Sequence, residues 1–405
     1  MSLTRVWKVT GVILLVFGMQ LLYALQSYAQ QADVDAMMSA KAAATADTVS
    51  LCPNRAPSAV GTFISFDLPG SAGGVVAINP FDTVTGNYSD ADGNGHGFVR
   101  SVLGQIVSFV ADTAPAGFFQ DTVVTGINAL GEVIGFYFDA TGAGYGFIRS
   151  SSGKITLFNA PGADVLLDGT TPTAIRDDGT ILGNYQDVNG LFHGFVRSRN
   201  GVITSFDDPE AGTGSNEGTL PAGLNAKGTI VGCYGLNSEY NDFYPLGFIE
   251  SEGNFSVLDP PDSTSLAPFC GNLAINPEGV TAGAFYQPEE NALQRNYRGF
   301  VRATDGTYDT FDAVPSPSSP CCTWTWPNAI SPQGSVVGYE NDFCNENHAF
   351  LRAANGTITL FDAPASGPAG GTVASGINPL GVVTGTYSDA NFVNHGFLFE
   401  PKGGE

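Results

Sequence analysis

The histidines are the side chains of this sequence that titrate nearest neutral pH, and they share one recurring position. Each stands directly before Gly-Phe or Ala-Phe, at His96, His193, His348 and His395. Further copies of the same segment place Tyr145, Leu246 and Arg298 there. A catalytic base needs one special histidine with a nucleophile and an orienting carboxylate. A position that tolerates leucine therefore favours a packed or hydrogen-bonded structural role.

One acidic segment has the spacing of a cation-binding loop. Asp90, Asp92 and Asn94 alternate with small residues and precede Gly95, which matches the first half of a calcium loop. The twelfth position of such a loop is Ser101 here, where the motif needs a bidentate glutamate. Calcium at Asp90, Asp92 and Asn94 is therefore a weak hypothesis, and an ordinary aspartate turn is the alternative.

Aromatic residues gather in the longest connecting segments. Two of the chain's three tryptophans lie in DAVPSPSSPCCTWTWPN, and a second aromatic segment is GLNSEYNDFYPLG. Aromatic side chains on loops of a rigid scaffold suit the recognition of glycans or proteins. The predicted binding residues are Trp324, Trp326, Tyr240, Asp242, Phe243 and Tyr244. A disulfide-tied structural cap made from the same loops is the alternative.

Catalysis has weaker support than binding in this sequence. The chemistry that remains open is a carboxylate pair of the kind used by polysaccharide hydrolases or lyases. Acidic residues that we expect in loops are Glu239, Asp242, Glu289, Glu290, Glu340 and Asp342. Solvated acidic loops are the ordinary interpretation in so acidic a chain. A purely structural cell-surface module is a third possibility.

Composition excludes several kinds of partner. The net charge is −23, from 16 Lys and Arg against 39 Asp and Glu. Nucleic acid and anionic membrane surfaces would repel such a chain. With 52 Gly and 24 Pro among 405 residues, turns must be frequent, which is typical of an all-β protein. No cofactor is indicated other than the weak calcium hypothesis.

The first residues resemble an export signal. Arg5 and Lys8 precede the apolar run VTGVILLVFGMQLLYAL, which ends near Ala29. This is the pattern of a cleaved signal peptide over residues 1–30, and an uncleaved membrane anchor is the alternative. We expect a secreted, periplasmic or cell-surface protein with no membrane span after cleavage. Residues 31–60 are predicted to be a flexible segment, and residues 400–405 a C-terminal tail.

The segments that must position these side chains recur seven times between residues 61 and 399. Each repeat contains an apolar strand A ending in Ile-Asn or a similar pair, and a strand B closed by tyrosine. Strand C is the HGFVR segment and strand D has the form GxITxFD. Four short strands in about 50 residues, repeated, have the dimensions of a propeller blade. The sequence therefore predicts an all-β, seven-bladed β-propeller of four-stranded blades, whose repeats we number 1 to 7.

The turns predict how the strands pair. Strands A and B are joined by turns such as Asn276-Pro-Glu-Gly279, with glycine at a left-handed position. Strands C and D flank an X-Gly pair, such as Leu103-Gly104, that is read as a two-residue type I′ turn. Centring the register on that turn places Phe98 opposite Phe109, and the same aromatic pair follows in four other repeats. The recurring arginine of strand C, such as Arg100, is expected to direct its head towards water or a carboxylate.

The first and last segments complement each other. Residues 61–67 form a strand D without its A, B and C, while the last repeat has A, B and C but no D. Pairing them closes the ring and removes an open edge. Five of the six cysteines lie in repeats 4 to 6. We expect Cys344 to pair with Cys321 or Cys322, and Cys233 with Cys270.

These motifs resemble those of a known group. HGFVR, the AINxxGxIxGxY stretch and GxITxFDxPG are similar to the HAF-type bacterial extracellular repeat. The resemblance covers residues 61–399, with the largest departures in repeats 4 and 6. It implies an exported, bacterial, propeller-like protein and no established reaction.

Overall fold

The computed structural model describes residues 61–70, 72–111, 121–167, 169–236, 244–261, 272–288, 295–313, 324–341, 346–367 and 371–402. Within these ranges the protein is all-β, and the secondary structure is made of 28 strands, β1 to β28 in chain order, with no α-helix. None of the described segments is a helix of the length and apolarity that a membrane span requires. The predicted signal peptide and the segment 31–60 lie outside the described residues.

Three sheets contain eight strands each, and one contains four. The sheet of repeats 1 and 2 contains β2 Ala72–Ile78, β3 Val84–Ser89, β4 Gly95–Arg100, β5 Ile106–Phe109, β6 Asp121–Ile127, β7 Val133–Phe138, β8 Gly144–Arg149 and β9 Ile155–Phe158. The sheet of repeats 3 and 4 contains β10 Thr170–Ile175, β11 Ile181–Gln186, β12 Phe192–Arg197, β13 Ile203–Phe206, β14 Gly218–Leu224, β15 Ile230–Leu236, β16 Tyr244–Ser251 and β17 Asn254–Leu258.

The sheet of repeats 5 and 6 contains β18 Ala274–Ile275, β19 Thr281–Pro288, β20 Arg295–Arg302, β21 Tyr308–Phe311, β22 Trp324–Ile330, β23 Val336–Asn341, β24 Asn347–Arg352 and β25 Ile358–Phe361. The four-stranded sheet contains β26 Thr372–Ile377, β27 Val383–Ser388, β28 Asn394–Pro401 and β1 Gly61–Asp67. The last strand therefore extends to Pro401, past the predicted end of the repeats at residue 399.

Each eight-stranded sheet consists of two antiparallel four-stranded units joined by one parallel bridge. The bridge connects the beginning of strand C with the beginning of strand A in the next repeat, at Gly95 and Asp121, Phe192 and Gly218, and Tyr297 and Trp324. Because these bridges recur at the same place, the B–C and D–A connections emerge together at one edge of the units. We call this edge the loop edge.

The turns between strands A and B have the predicted geometry. In repeat 5 the Gly279 amide donates to the Asn276 carbonyl at 3.0 Å, and the φ of Gly279 is +101°. Gly334 and Gly381 have φ values of +90° and +80° at the equivalent positions. A left-handed residue at this point is the reason for the recurring glycine, and this sequence prediction is confirmed.

The register predicted for strands C and D is wrong by one residue. The Gly104 amide donates to the Ser101 carbonyl, and the Ser101 amide donates to the Gln105 carbonyl, both at 2.8 Å. These bonds define a five-residue connection with Gly104 at φ +86°, which resembles a type I turn followed by a bulge. Phe109 is consequently opposite Gly97, and Phe98 is opposite Ser108.

This shift explains why glycine alternates with phenylalanine along the repeats. Phe109 covers Gly97, and Phe98 covers Gly86 of strand B, so that a Cβ at either glycine would overlap an aromatic ring. Since adjacent residues of a strand face opposite sides, Phe98 and Phe109 enter different cores. Phe98 packs with Val84 and Leu398, whereas Phe109 reaches Phe147 of the next repeat, at 6.0 Å between ring centroids.

Two of the seven tyrosines assigned to the end of strand B are also misplaced. In the other repeats the tyrosine of strand B lies opposite the residue that precedes Gly-Phe. In repeat 5 this place is taken by Phe285, opposite Arg298, and in repeat 6 by Glu340, opposite His348. Tyr286 and Tyr339 are each shifted by one residue from that register. The sequence runs AGAFYQ and VGYEN contain tyrosine at a neighbouring position, so the pattern alone suggested the wrong alignment.

The N-terminal strand is part of the last sheet, as the sequence predicted. β1 pairs antiparallel with β28, from Gly61 opposite Pro401 to Asp67 opposite His395. Phe63 stacks on Phe399 at 4.4 Å between centroids. Phe66, on the other face of β1, lies under the Arg100 guanidinium of repeat 1, at 4.7 Å. β1 therefore contacts both the last and the first repeat.

The recurring arginine of strand C does not direct its head as predicted. The guanidinium carbons of Arg100, Arg149, Arg197 and Arg352 lie 4.7 to 5.0 Å from the ring of an aromatic residue in the preceding strand D. Burial lowers the pKa of Arg100, Arg149 and Arg197. Only the guanidinium of Arg352 among these four reaches a carboxylate in the described residues, that of Asp309. The arginines are therefore cation–π contacts between neighbouring repeats.

Candidate functional site

The loop edge between repeats 5 and 6 contains a cluster of aromatic side chains. Trp326 stacks on Tyr297 with 4.7 Å between ring centroids, and Trp324 meets the same tyrosine edge-on at 5.8 Å. Tyr286 packs against Tyr297 at 5.7 Å. All four side chains are half-buried. We call Tyr286, Tyr297, Trp324 and Trp326 the aromatic cluster.

Strands rather than loops position this cluster, which corrects the sequence prediction. Trp324 and Trp326 both belong to β22 and are two residues apart, so their side chains share one face. Tyr297 belongs to β20, and the parallel bridge places its Cα beside that of Trp324. The sequence prediction found the tryptophans but missed Tyr286 and Tyr297, because the bridge between strands C and A leaves no local pattern.

The scaffold does not require aromatic residues at these positions. At the position of Trp324 five of the other repeats have Ala72, Asp121, Gly169, Gly218 and Gly371, as the pairing of strands A and B shows, and the equivalent residue of repeat 5 lies outside the described residues. At the position of Trp326 they have residues such as Gly74, Val123 and Val373. Large rings in repeat 6 therefore serve something other than the common fold.

The side chains of the remaining predicted binding residues lie outside the described part of the structure. Tyr240, Asp242 and Phe243 lie outside the described residues. Tyr244 is the first residue of β16, and only its backbone is described.

The recurring histidines are held by carboxylates and tyrosines. His193 Nδ1 lies 3.0 Å from the Asp207 carboxylate, and its Nε2 lies 3.7 Å from Asp187. The ring stacks on Tyr185 at 5.0 Å. His395 repeats this arrangement with Asp67, Asp389 and Tyr387. These contacts agree with the hydrogen-bonded structural role that the sequence predicts.

The histidine and the aspartate at the end of strand D occur together. His348 Nδ1 lies 2.8 Å from Asp362, and where arginine replaces histidine, Arg298 Nε donates to Asp312 at 3.0 Å. In repeat 2 the residue before Gly-Phe is Tyr145, and the residue after strand D is Asn159, so the histidine and the aspartate are both replaced. The histidine or arginine therefore contacts a carboxylate at the end of strand D within the same sheet. Repeat 1 differs, because strand D is followed by Val110 and the carboxylate that His96 contacts is that of Asp90, at 2.8 Å.

One of the carboxylates proposed for catalysis has a different environment from the predicted one. Glu340 belongs to β23 and its side chain is fully buried, whereas the sequence prediction placed it in a loop. It is opposite Thr325 and His348 in the sheet. The other five acidic candidates, Glu239, Asp242, Glu289, Glu290 and Asp342, lie outside the described residues.

The weak calcium candidate forms a self-contained turn. Asp90 Oδ1 accepts hydrogen bonds from the amides of Asp92 and Asn94, both at 2.9 Å, and its Oδ2 accepts one from Asn94 Nδ2 at 3.1 Å. The hydrogen bond with His96 has the largest effect on Asp90 and, with those from Asn94, holds the pKa of Asp90 well below its usual range. Among the described residues no three His, Cys, Asp or Glu side chains are grouped as metal ligands. Asp187 accepts the same backbone bonds in repeat 3, so the turn alone accounts for Asp90.

Comparison with known proteins identifies the fold. No protein-family model and no curated protein sequence matches the chain. The β-propeller domain of the Trilobed protease from Pyrococcus furiosus is similar in structure, with a TM-score of 0.55, 8% sequence identity, 84% of this chain covered and 97% of that one. The acylaminoacyl peptidase of Pyrococcus horikoshii gives 0.51 and 9%, with 82% of this chain covered and 52% of that chain. These similarities show that the protein has a β-propeller fold.

Proposed function

We propose that the chain is a seven-bladed β-propeller whose N-terminal strand completes the last blade. The three eight-stranded sheets, each made of two four-stranded units, and the single four-stranded sheet support a count of seven blades. Contacts between the first and last repeats support a closed ring. Thr386 Oγ1 accepts a hydrogen bond from the Val75 amide at 2.8 Å, and Asn394 Nδ2 donates to the Gly73 carbonyl at 3.0 Å.

The proposed function is recognition of an extracellular glycan or protein at the loop edge of repeats 5 and 6. The aromatic cluster supports this function, because Trp324 and Trp326 stand at positions where the described residues of the other repeats are not aromatic. Aromatic side chains bury a large area at a small cost in conformational entropy, which suits the stacking of sugar rings or the anchoring of a peptide. The apolar run and basic start of residues 1–30 support export of the chain, and the repeat motifs support a relationship with HAF-type proteins.

The two alternatives have less support in the described residues. A hydrolase or lyase would need two carboxylates facing a common cavity, and Glu340 is instead buried within a sheet. A structural module would use the aromatic cluster only to hold repeats 5 and 6 together. In that case removing the tryptophans would lower the melting temperature without changing any affinity.

The test is a glycan and peptide array probed with the chain lacking residues 1–30, and with its Trp324→Ala, Trp326→Ala double variant. We expect the variant to lose roughly 2 kcal/mol or more of binding free energy, about a thirtyfold loss of affinity, towards the ligands that the unmodified chain selects. Phe81→Ala is the control, because Phe81 is 67% exposed and lies in an A–B turn, away from the loop edge. Equal binding by all three proteins would exclude recognition through the cluster.

A further inference from the structure

A recess lies at the loop edge between repeats 1 and 2, apart from the aromatic cluster. It is a small cavity of about 150 Å³ at the beginning of β6. Its walls include Gly73, Tyr88, Ser89, Gly95 and Asp121. A water molecule occupies about 30 Å³ in the liquid, so this volume suits a ligand of roughly five non-hydrogen atoms.

Asp121 is the single carboxylate among the described residues that line the cavity. The scaffold does not need it, because Gly169, Gly218, Trp324 and Gly371 take its place in repeats 3, 4, 6 and 7. Asp121 is therefore a charge added to a position that is otherwise uncharged.

No lysine or arginine among the described residues forms an ion pair with Asp121. Burial raises the pKa of Asp121, and the charge of His96 offsets this only in part. That histidine is already bonded to Asp90 at 2.8 Å. A partly buried carboxylate without a close cation is unfavourable, and a bound cation would relieve this cost.

Glycine leaves room beside this carboxylate. A Cβ at Gly95 would overlap Asp121 Oδ1, so any other residue there would displace the carboxylate or fill the cavity. At the equivalent junctions the chain has the larger side chains Phe192, Tyr297, Asn347 and Asn394, whereas Gly144 of repeat 2 lies beside the uncharged Gly169. The junction of repeats 1 and 2 therefore combines an added charge with an opened space.

We propose that this cavity binds the primary ammonium group of a small organic cation, with Asp121 as its counter-ion. The acidic chain, with a net charge of −23, concentrates cations at its surface. An ammonium group needs one carboxylate and a few oxygen acceptors, whereas calcium takes six to eight oxygen ligands. The described residues hold no group of three carboxylate, histidine or cysteine ligands, which favours an ammonium over a divalent metal. This site is independent of the aromatic cluster.

The experiment is calorimetric titration of the chain lacking residues 1–30 with ethanolamine at pH 7, with ethylene glycol as the neutral analogue. Few atoms can contact so small a ligand, so we expect a millimolar affinity. Asp121→Asn should weaken ethanolamine binding at least tenfold, and Asp177→Asn should leave it unchanged. The Asp177 variant is the matched control, since it removes the same charge from an exposed position in an A–B turn, away from the loop edge.

Several results would overturn the proposal. Ethylene glycol binding as tightly as ethanolamine would show that charge is not recognised. An equal loss in both aspartate variants would indicate attraction by the overall charge alone. Calcium chloride binding that requires Asp121, without competition from ethanolamine, would assign the site to a metal.

A folding defect in Asp121→Asn would make the carboxylate a structural group and would also count against the site. Gly95→Ala supplies a second measurement that keeps Asp121 in the chain. Its added methyl group should occupy the cavity and remove ethanolamine binding. Retained binding in this variant would exclude the cavity as the site.

Discussion

At the residue scale, the fold depends on glycines that make room for aromatic rings on the neighbouring strand. Gly135 is opposite Phe147, and a Cβ there would overlap the Val123 carbonyl oxygen and lie 2.7 Å from the Phe147 ring. Overpacking of this kind costs about 1 to 3 kcal/mol. We therefore expect Gly135→Ala to lower the free energy of unfolding by about 2 kcal/mol in urea denaturation.

A glycine close to Gly135 provides the matched control. A Cβ at Gly126 would be 3.6 Å from Ile134, which is an ordinary contact, and its φ is not in the left-handed region. Gly126→Ala should leave stability unchanged or raise it by about 0.5 kcal/mol. Equal destabilisation by both substitutions would contradict the account of ring-over-glycine packing.

The turn aspartates predict how stability depends on pH. Hydrogen bonds from the backbone amides of Val393, which has the larger effect, and Asn391 lower the pKa of Asp389. The pKa of Asp90 is lowered as well. A carboxylate whose pKa is lower in the folded state than in the unfolded state stabilises the fold at pH values above its unfolded-state pKa, about 3.9. This stabilisation is lost as the pH falls through the pKa of the folded state. Burial raises the pKa of Asp208, so the contribution of Asp208 to stability changes with pH in the opposite direction.

We therefore expect a melting temperature that is nearly constant from about pH 7 to pH 5 and falls below about pH 4. Differential scanning calorimetry across this range measures it. A large loss of stability between about pH 7 and pH 5.5 would show that groups other than these aspartates control the response.

At the element scale, β1 is the strand whose removal has the clearest consequence. It supplies Phe63 to the core of the last repeat and Phe66 to the contact with Arg100. Deleting residues 31–68 should expose β28 as an unpaired edge and remove two aromatic side chains from the core. We expect the melting temperature to fall by roughly 10 °C or more, or the protein to aggregate.

Deletion of residues 31–60 is the control for this experiment, because it shortens the chain and leaves β1 intact. This shorter deletion should keep the melting temperature of the longer chain. Identical melting of both deletion variants would show that β1 does not contribute to closure.

The sequence predicted the elements better than their exact pairing. The recurring apolar segments and the turns between them identify the four strands of each repeat. The incomplete first and last segments identify the pairing of β1 with β28. The C–D register was wrong because Leu103-Gly104 can belong to a two-residue turn or to a longer one with a bulge, and the two differ by one residue. Tyr297 was missed for another reason: its contact with Trp324 depends on a parallel bridge between repeats, which has no signature in either segment.

At the scale of the whole molecule, the repeats provide a regular frame and the loop edge carries the differences. The aromatic cluster of repeats 5 and 6 and the Asp121 cavity of repeats 1 and 2 both lie at C–A bridges, where the strand A residue is alanine or glycine in repeats 1, 3, 4 and 7. Because the frame is repeated, such replacements change the surface without disturbing the core.

Tryptophan fluorescence tests the central claim most directly, because Trp7 belongs to the predicted signal peptide and the remaining two tryptophans, Trp324 and Trp326, both lie in the aromatic cluster. The emission of the chain lacking residues 1–30 therefore reports on the proposed binding site alone. Titrating a ligand selected by the array should shift or quench this emission, with the same affinity that calorimetry gives. Binding detected by calorimetry with no change in tryptophan emission would place the ligand elsewhere and contradict recognition through the cluster.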